Sequence, residues 1–219
     1  MTTRELILFD LDGTLTDSAP GIMESVQYAY AQLGIEAPDT DTLRAFVGPP
    51  LHVSSALHGV PASQYEEFLR QYRVKFTDGG MLNNSVYPGI VELLDTLTAR
   101  GIPMAVATSK PEKYARQILE HFELAHYFRF IAGATMDGTR SAKADVIEHC
   151  LASLIPLLGQ LPGADRILMV GDREHDVNGA RLHGIGTVGV SWGYALPGEL
   201  LEHGALAVID KPQELLDLV

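Results

Sequence analysis

Four short apolar runs set the limits on how this chain can fold. Leu6–Phe9, Ile102–Ala107, Ile167–Val170 and Thr187–Val190 are each bounded by turn residues. Such runs are too short for a buried helix and suit strands covered on both faces. Phe128–Ala132 and Ala207–Ile209 are weaker examples of the same pattern. Helical patterns separate them, at Ile90–Arg100, Pro111–Phe122, Lys143–Leu154 and Asp176–His183. Strand alternating with helix predicts an α/β protein: a doubly wound, mostly parallel, Rossmann-like sheet with helices on both faces and right-handed crossovers.

One interval breaks the alternation. Residues 17–84 carry only helical patterns, at Ile22–Leu33, Asp41–Phe46, Leu51–Leu57 and Ser63–Thr77. Gly34, Pro38, Gly48-Pro49-Pro50 and Gly59-Val60-Pro61 punctuate them. The expected organisation is a core of residues 1–16 and 85–219 with an all-helical cap domain of 17–84 inserted after the first strand. Leu15–Pro20 and Gly79–Pro88 are the expected connections.

Composition narrows the function classes. Sixteen Lys and Arg against 28 Asp and Glu give a formal charge of −12. Such a chain repels polyanions, which argues against nucleic acid and anionic membranes as partners. A small phosphorylated substrate is not excluded, because one local cation outweighs a diffuse field beyond about 8 Å. The single cysteine, Cys150, lies in a helical pattern and reads as a buried apolar residue. No disulfide within the chain is possible, the N-terminal stretch does not resemble a signal peptide, and no apolar run approaches a membrane span. A soluble cytoplasmic protein, monomer or homodimer, is expected.

The chemistry gathers at strand ends, where open α/β sheets bind ligands. Asp10 and Asp12 follow the first strand directly, and Gly13 then suggests a turn that aims both carboxylates at one point. An acidic surface turn would look the same. Asp172 ends the third strand, and Asp176 stands four residues on, where a helix begins. Asp176 reads as a cap for that helix or as a further acid of the site. Acids converging from two strand ends repel one another. A hard divalent cation relieves that, and Mg²⁺ suits a site with few carboxylates.

Two further segments bear on phosphate. Thr108, Ser109 and Lys110 follow the second strand, with Pro111 at an expected helix start. A hydroxyl and free N–H groups there would form an anion site or merely an N-cap. Lys143 opens the next helix, where a cation opposes the macrodipole. It reads as a phosphate-neutralising group or as an exposed lysine.

In this order the four motifs resemble the haloacid dehalogenase superfamily of phosphohydrolases. Asp10-Leu11-Asp12-Gly13-Thr14-Leu15 matches its first motif, Thr108 its second, Lys143 its third, and Gly171-Asp172 with Asp176 its fourth. The resemblance implies an Mg²⁺-dependent phosphatase working through an aspartyl-phosphate. Asp10 is then nucleophile and metal ligand, and Asp12 is general acid and base, with its backbone carbonyl on the metal. Asp172 and Asp176 complete the metal site, and Thr108, Ser109 and Lys143 hold phosphate. The superfamily's dehalogenases usually lack the second Asp, so Asp12 argues against dehalogenation.

The helical insert resembles the helical-cap group, which implies a cap that closes over the site. Phe46–Leu51, Asp137–Arg140 and Ser191–Tyr194 resemble bacterial phosphoglycolate phosphatases and related 5′-nucleotidases. Arg44, Gly48 and Pro49 are the candidate substrate contacts in the cap. His52, His58, His175 and Arg140 receive no role. The alternatives are a mutase of the β-phosphoglucomutase type and, more remotely, a non-catalytic binding module. The identity of the substrate stays open.

Overall fold

The computed structural model describes residues 4–49 and 51–219, the side chain of His52 apart. Pro50 and the His52 ring, both in the expected cap loop, therefore lie outside the described residues. The chain divides into two compact units, Met1–Leu15 with Val86–Val219, and Thr16–Ser85. Among the described residues no helix is long and apolar enough to cross a membrane.

The chain opens with β1 (Leu6–Phe9). The second unit follows as β2 (Thr16–Asp17), α1 (Ala19–Gln32), α2 (Thr40–Arg44), α3 (Leu51–Leu57) and α4 (Tyr65–Thr77), ending with β3 (Ser85–Val86), which pairs with β2. The first unit resumes with α5 (Ile90–Ala99), β4 (Met104–Pro111), α6 (Glu112–His121), β5 (Phe128–Ala134) and α7 (Lys143–Leu158). It finishes with β6 (Ile167–Gly171), α8 (Glu174–Arg181), β7 (Gly186–Val190), α9 (Glu199–Glu202) and β8 (Ala207–Ile209).

The large sheet runs β5-β4-β1-β6-β7-β8, and all its pairings are parallel. After β1 the chain builds outward on one side through β4 and β5, then crosses to the other side at β6. That reversal beside β1 is the switch point of a doubly wound fold, where the strand ends leave a crevice. The register sets Phe9 beside Val106 of β4 and Val170 of β6, so Asp10, Ala107 and Gly171 emerge side by side.

Every residue of β1 is buried, as expected of a strand covered on both faces. Leu6 and Leu8 join Ala105, Ala107, Ile167 and Met169 on one face, under Val146, Ile147, Cys150 and Leu154 of α7. Each Leu, Ile, Val and Met among them contributes about 1.5–3 kcal/mol on burial. In the second unit, Tyr30, Phe46 and Phe68 pack edge to face or tilted, with centroids 5.3–6.4 Å apart. His58 belongs to this core: its ring lies 5.3 Å from Phe46, and its carbonyl accepts the Tyr30 hydroxyl at 2.6 Å.

Several elements depart from their sequence-based bounds. α1 starts at Ala19 because Pro20 falls in the first turn, where its missing N–H costs nothing. β4 runs on to Pro111, with an irregularity between Ala107 and Pro111. Pro111 is extended and precedes α6, so Thr108 lies in a strand and not at a helix N-terminus. Thr108, Ser109 and Lys110 therefore lie in the strand end that leads into the Pro111 cap of α6. α7 passes Pro156 in its last turn and ends at Gly159, whose N–H reaches the Ile155 carbonyl at 2.9 Å.

Candidate active site

Three neighbouring strands, β4, β1 and β6, deliver the polar groups. Asp10 leaves β1 with its N–H on the Val170 carbonyl at 2.9 Å, which locks the two strand ends together. Asp172 leaves β6 fully buried. Two bonds orient it: the Tyr194 N–H donates to its Oδ2 at 2.8 Å, and the Thr14 hydroxyl donates to Oδ1 at 3.4 Å. Trp192 donates its indole N–H to the Thr14 carbonyl at 3.1 Å, tying the loop after β7 to the turn after β1. That turn requires glycine. Gly13 has φ +82, and a Cβ there would strike the Asp172 carboxylate and the Tyr194 ring.

Asp176 is in the first turn of α8, not at its cap. The cap residue is Arg173, and Asp176 reaches back to accept the N–H groups of Asp172 and Arg173, each at 3.1 Å. It thus satisfies orphan donors of the helix start. Glu199, which the sequence did not flag, supports the same helix start. Its Oε1 accepts Arg173 Nε and the Glu174 N–H, both at 2.8 Å. Although burial opposes ionisation, these bonds hold its carboxyl below the ordinary range.

Lys143 projects from the start of α7 into this cluster. Its Nζ lies 2.8 Å from Asp10 Oδ1, 2.7 Å from Asp176 Oδ1 and 3.1 Å from the Ala107 carbonyl. An ammonium has three donors, and three acceptors face it. Burial would lower its pKa, but the charges of Asp10 and Asp176 outweigh that and hold it above the ordinary lysine range. Gly179 of α8 lets α7 approach, since a Cβ there would crowd the Lys143 stem.

A second lysine, Lys110, is also buried and pairs with Asp12 Oδ2 at 3.0 Å. Its N–H donates to Thr108 Oγ1 at 3.2 Å, which leaves the Thr108 hydroxyl its own proton to donate. Sequence reasoning noted Lys110 but gave it no role, because the segment read as a helix start. In a strand, residues two apart share a face, and that spacing was the available signal. Ser109, between them, is half-buried.

Four carboxyl groups meet two ammonium groups here, so full ionisation would leave two negative charges in excess. Burial pushes Asp172 well above the usual carboxylate range, with the Asp176 and Asp10 charges adding to it. Burial also raises Asp176 to about 6, Lys143 drawing it down and Asp10 pushing it up. Oxygens of Asp10, Asp172 and Asp176 lie within 4.8 Å of one another. Oδ1 of Asp10 and of Asp176 is buried and, despite the nearby ammonium, lacks a well-formed hydrogen bond. Hard oxygen donors, excess negative charge and under-satisfied acceptors fit a divalent cation.

Arg44 is exposed at the end of α2, and Gly48, with φ +101, and Pro49 are half-buried in the second unit. Arg140 binds the Gly133 carbonyl at 3.0 Å and pairs with Glu112 at 3.4 Å, which fastens the loop after β5. His175 is half-buried, and burial holds its ring below the usual histidine range.

Fold and cluster define a Rossmann-like α/β protein with an acidic, cation-seeking centre at its switch point. Residues 7–190 match the haloacid dehalogenase-like hydrolases, and the chain belongs to that family. It is 47% identical over 190 residues to the tyrosine-protein kinase PtkA of Mycobacterium tuberculosis, covering 87% of this chain but only 63% of that protein. It is 43% identical over 198 residues to a 5′-nucleotidase of Pseudomonas aeruginosa, covering 90% of this chain and 87% of that one. The fold matches a crystal structure described as a predicted phosphatase from Clostridium acetobutylicum, with a TM-score of 0.88 and 39% identity over 99% of this chain and 98% of the other.

Proposed function

We propose that the chain is a cytoplasmic, Mg²⁺-dependent phosphatase for small phosphorylated metabolites, with Asp10 as nucleophile. The observation that carries this is the pairing of each first-motif acid with a buried lysine, Asp10 with Lys143, which Asp176 shares, and Asp12 with Lys110. The Lys143 ammonium thereby holds the Asp10 carboxylate in place, as a nucleophile requires. Asp10, Asp172 and the Asp12 backbone carbonyl would hold Mg²⁺, with Asp176 bracing them or binding through water. The ion would supply positive charge to the phosphoryl oxygens.

In this reading Asp10 attacks phosphorus and Asp12 protonates the leaving oxygen. Asp12 then takes a proton from the water that releases phosphate. Thr108 donates its hydroxyl proton to a non-bridging oxygen, Ser109 adds a second donor, and Lys143 offsets charge developing in the transition state. Substrate choice is assigned to Arg44, Gly48 and Pro49. The 43% identical relative called a 5′-nucleotidase favours nucleoside monophosphates among the metabolites.

The test is phosphate release from p-nitrophenyl phosphate and from a panel of nucleoside monophosphates, phosphoglycolate and sugar phosphates, with Mg²⁺. Asp10→Asn is expected to lower turnover by about 10³-fold or more. Full turnover in that variant would remove Asp10 as nucleophile. The relative called a tyrosine-protein kinase supports a second reading, transfer of phosphoryl to a protein tyrosine. Labelled phosphate appearing on a protein tyrosine, with none released to water, would favour it.

A further inference from the structure

We propose that Lys110 is a positioning residue for Asp12, fixing which carboxylate oxygen handles the proton. The assignment rests on the phosphatase reading above and adds a residue to its machinery. Lys110 and Asp12 are both more than nine-tenths buried, and their charged atoms lie 3.0 Å apart. Placing a lysine at such depth carries a desolvation cost. A lysine needed only for solubility sits at the surface at no such cost.

The two oxygens of Asp12 are not equivalent. Oδ2 faces Lys110, whereas Oδ1 is buried with no hydrogen-bond partner. An ammonium group only donates. Oδ2 is therefore held as an acceptor, and a proton on Asp12 has to sit on Oδ1. Without Lys110 the carboxyl group could rotate and carry the proton on either oxygen. Lys143 does not duplicate this, since its contacts are Asp10, Asp176 and the Ala107 carbonyl.

Lys110 is itself held in place. It lies in β4, whose register with β1 sets Val106 beside Phe9, and its N–H is bound to Thr108 Oγ1. The same strand segment thus carries both the phosphate-facing hydroxyl and the lysine that orients the acid.

The step it serves balances as follows. An Asp10 oxygen forms a bond to phosphorus, and the bond to the leaving oxygen breaks. The electron pair goes to the leaving oxygen, which takes the proton from Asp12 Oδ1. Water then attacks the aspartyl-phosphate, its proton passes to Asp12 Oδ1, and the Asp10–phosphorus bond breaks to give inorganic phosphate.

Leaving-group dependence tests the assignment. p-Nitrophenolate departs without protonation, whereas phenolate needs far more help. kcat/KM, which reports the first chemical step, is measured for p-nitrophenyl phosphate and phenyl phosphate with Mg²⁺ in wild type, Lys110→Met and Lys110→Arg. Lys110→Met is expected to lose about tenfold or more beyond its loss on p-nitrophenyl phosphate when phenyl phosphate is the substrate. Lys110→Arg keeps the cation and is expected to return the ratio to within about threefold of wild type. The ratio is taken within one sample, so a partly unfolded variant does not distort it. Equal losses on both substrates, or a rise in KM alone, would overturn the assignment. A wild type that hydrolyses neither substrate would overturn the phosphatase reading itself, and Lys110 with it.

Discussion

At the residue scale, burial decides what each polar or reactive side chain can do. Cys150 shows it most simply. Its thiol is buried against the Val106 carbonyl at 3.6 Å, and burial pushes its pKa up to about 12. The thiolate is the reactive form, so iodoacetamide at about pH 8 should leave the folded protein unlabelled and label it once unfolded in guanidinium. The linkage has a definite sign. Between the ordinary thiol pKa and about 12 the folded state keeps a proton that the unfolded state has lost, so stability falls as pH rises through that window. Gly13 shows the opposite constraint, a position where any side chain is wrong. Gly13→Ala combines φ +82 with a clash against Asp172. It should destabilise by about 1–3 kcal/mol in urea titration and weaken Mg²⁺ binding as Asp172 is displaced.

At the element scale, two helix starts use an aspartate in different settings. Asp39 caps α2 from the surface, accepting the Thr42 N–H at 2.8 Å. Asp176 braces α8 from full burial and also meets Lys143. Asp39→Ala should cost little, the loss of one exposed cap hydrogen bond. Asp176→Ala removes one partner of a buried ion pair and should cost about 3–5 kcal/mol. Chemical denaturation of both variants checks the contrast, and equal losses would mean that Lys143 finds other compensation. Element boundaries were legible where a turn residue coincided with a change of period, as at Leu6–Phe9 and Leu51–Leu57. They were not legible at β4. Thr108-Ser109-Lys110-Pro111 has the composition of a helix start, yet it continues β4 to Pro111, which pairs with Ala134 of β5. That one misplacement hid Lys110.

At the scale of the whole molecule, the sheet order places the ends of β4, β1 and β6 at one crevice, and four acids accumulate there. Two lysines offset part of the charge, burial raises Asp172 against ionising, and a bound cation would offset the rest. Mg²⁺ at about 100 times its Kd should therefore stabilise the protein by about 2.7 kcal/mol, seen as a rise in Tm. Asp172→Asn should abolish most of that rise. An unchanged Tm in wild type would mean that the acid cluster binds no Mg²⁺.

Asp10 and Asp12, Asp172 and Asp176, Thr108 and Lys143 could all be picked from the sequence, because each follows or begins an element with a clear period. The sequence by itself determined the class of fold and the kinds of group at the strand ends. Only the tertiary structure decided how those groups are paired. Asp176 went to Lys143 and the α8 backbone, Asp172 to the Tyr194 N–H, Glu199 to the α8 start and Lys110 to Asp12. The reason is physical. Periodicity reports which face a residue lies on, a property of its own segment. An ion pair between residues 98 positions apart, such as Lys110 and Asp12, depends on strand order and register, which no local pattern encodes.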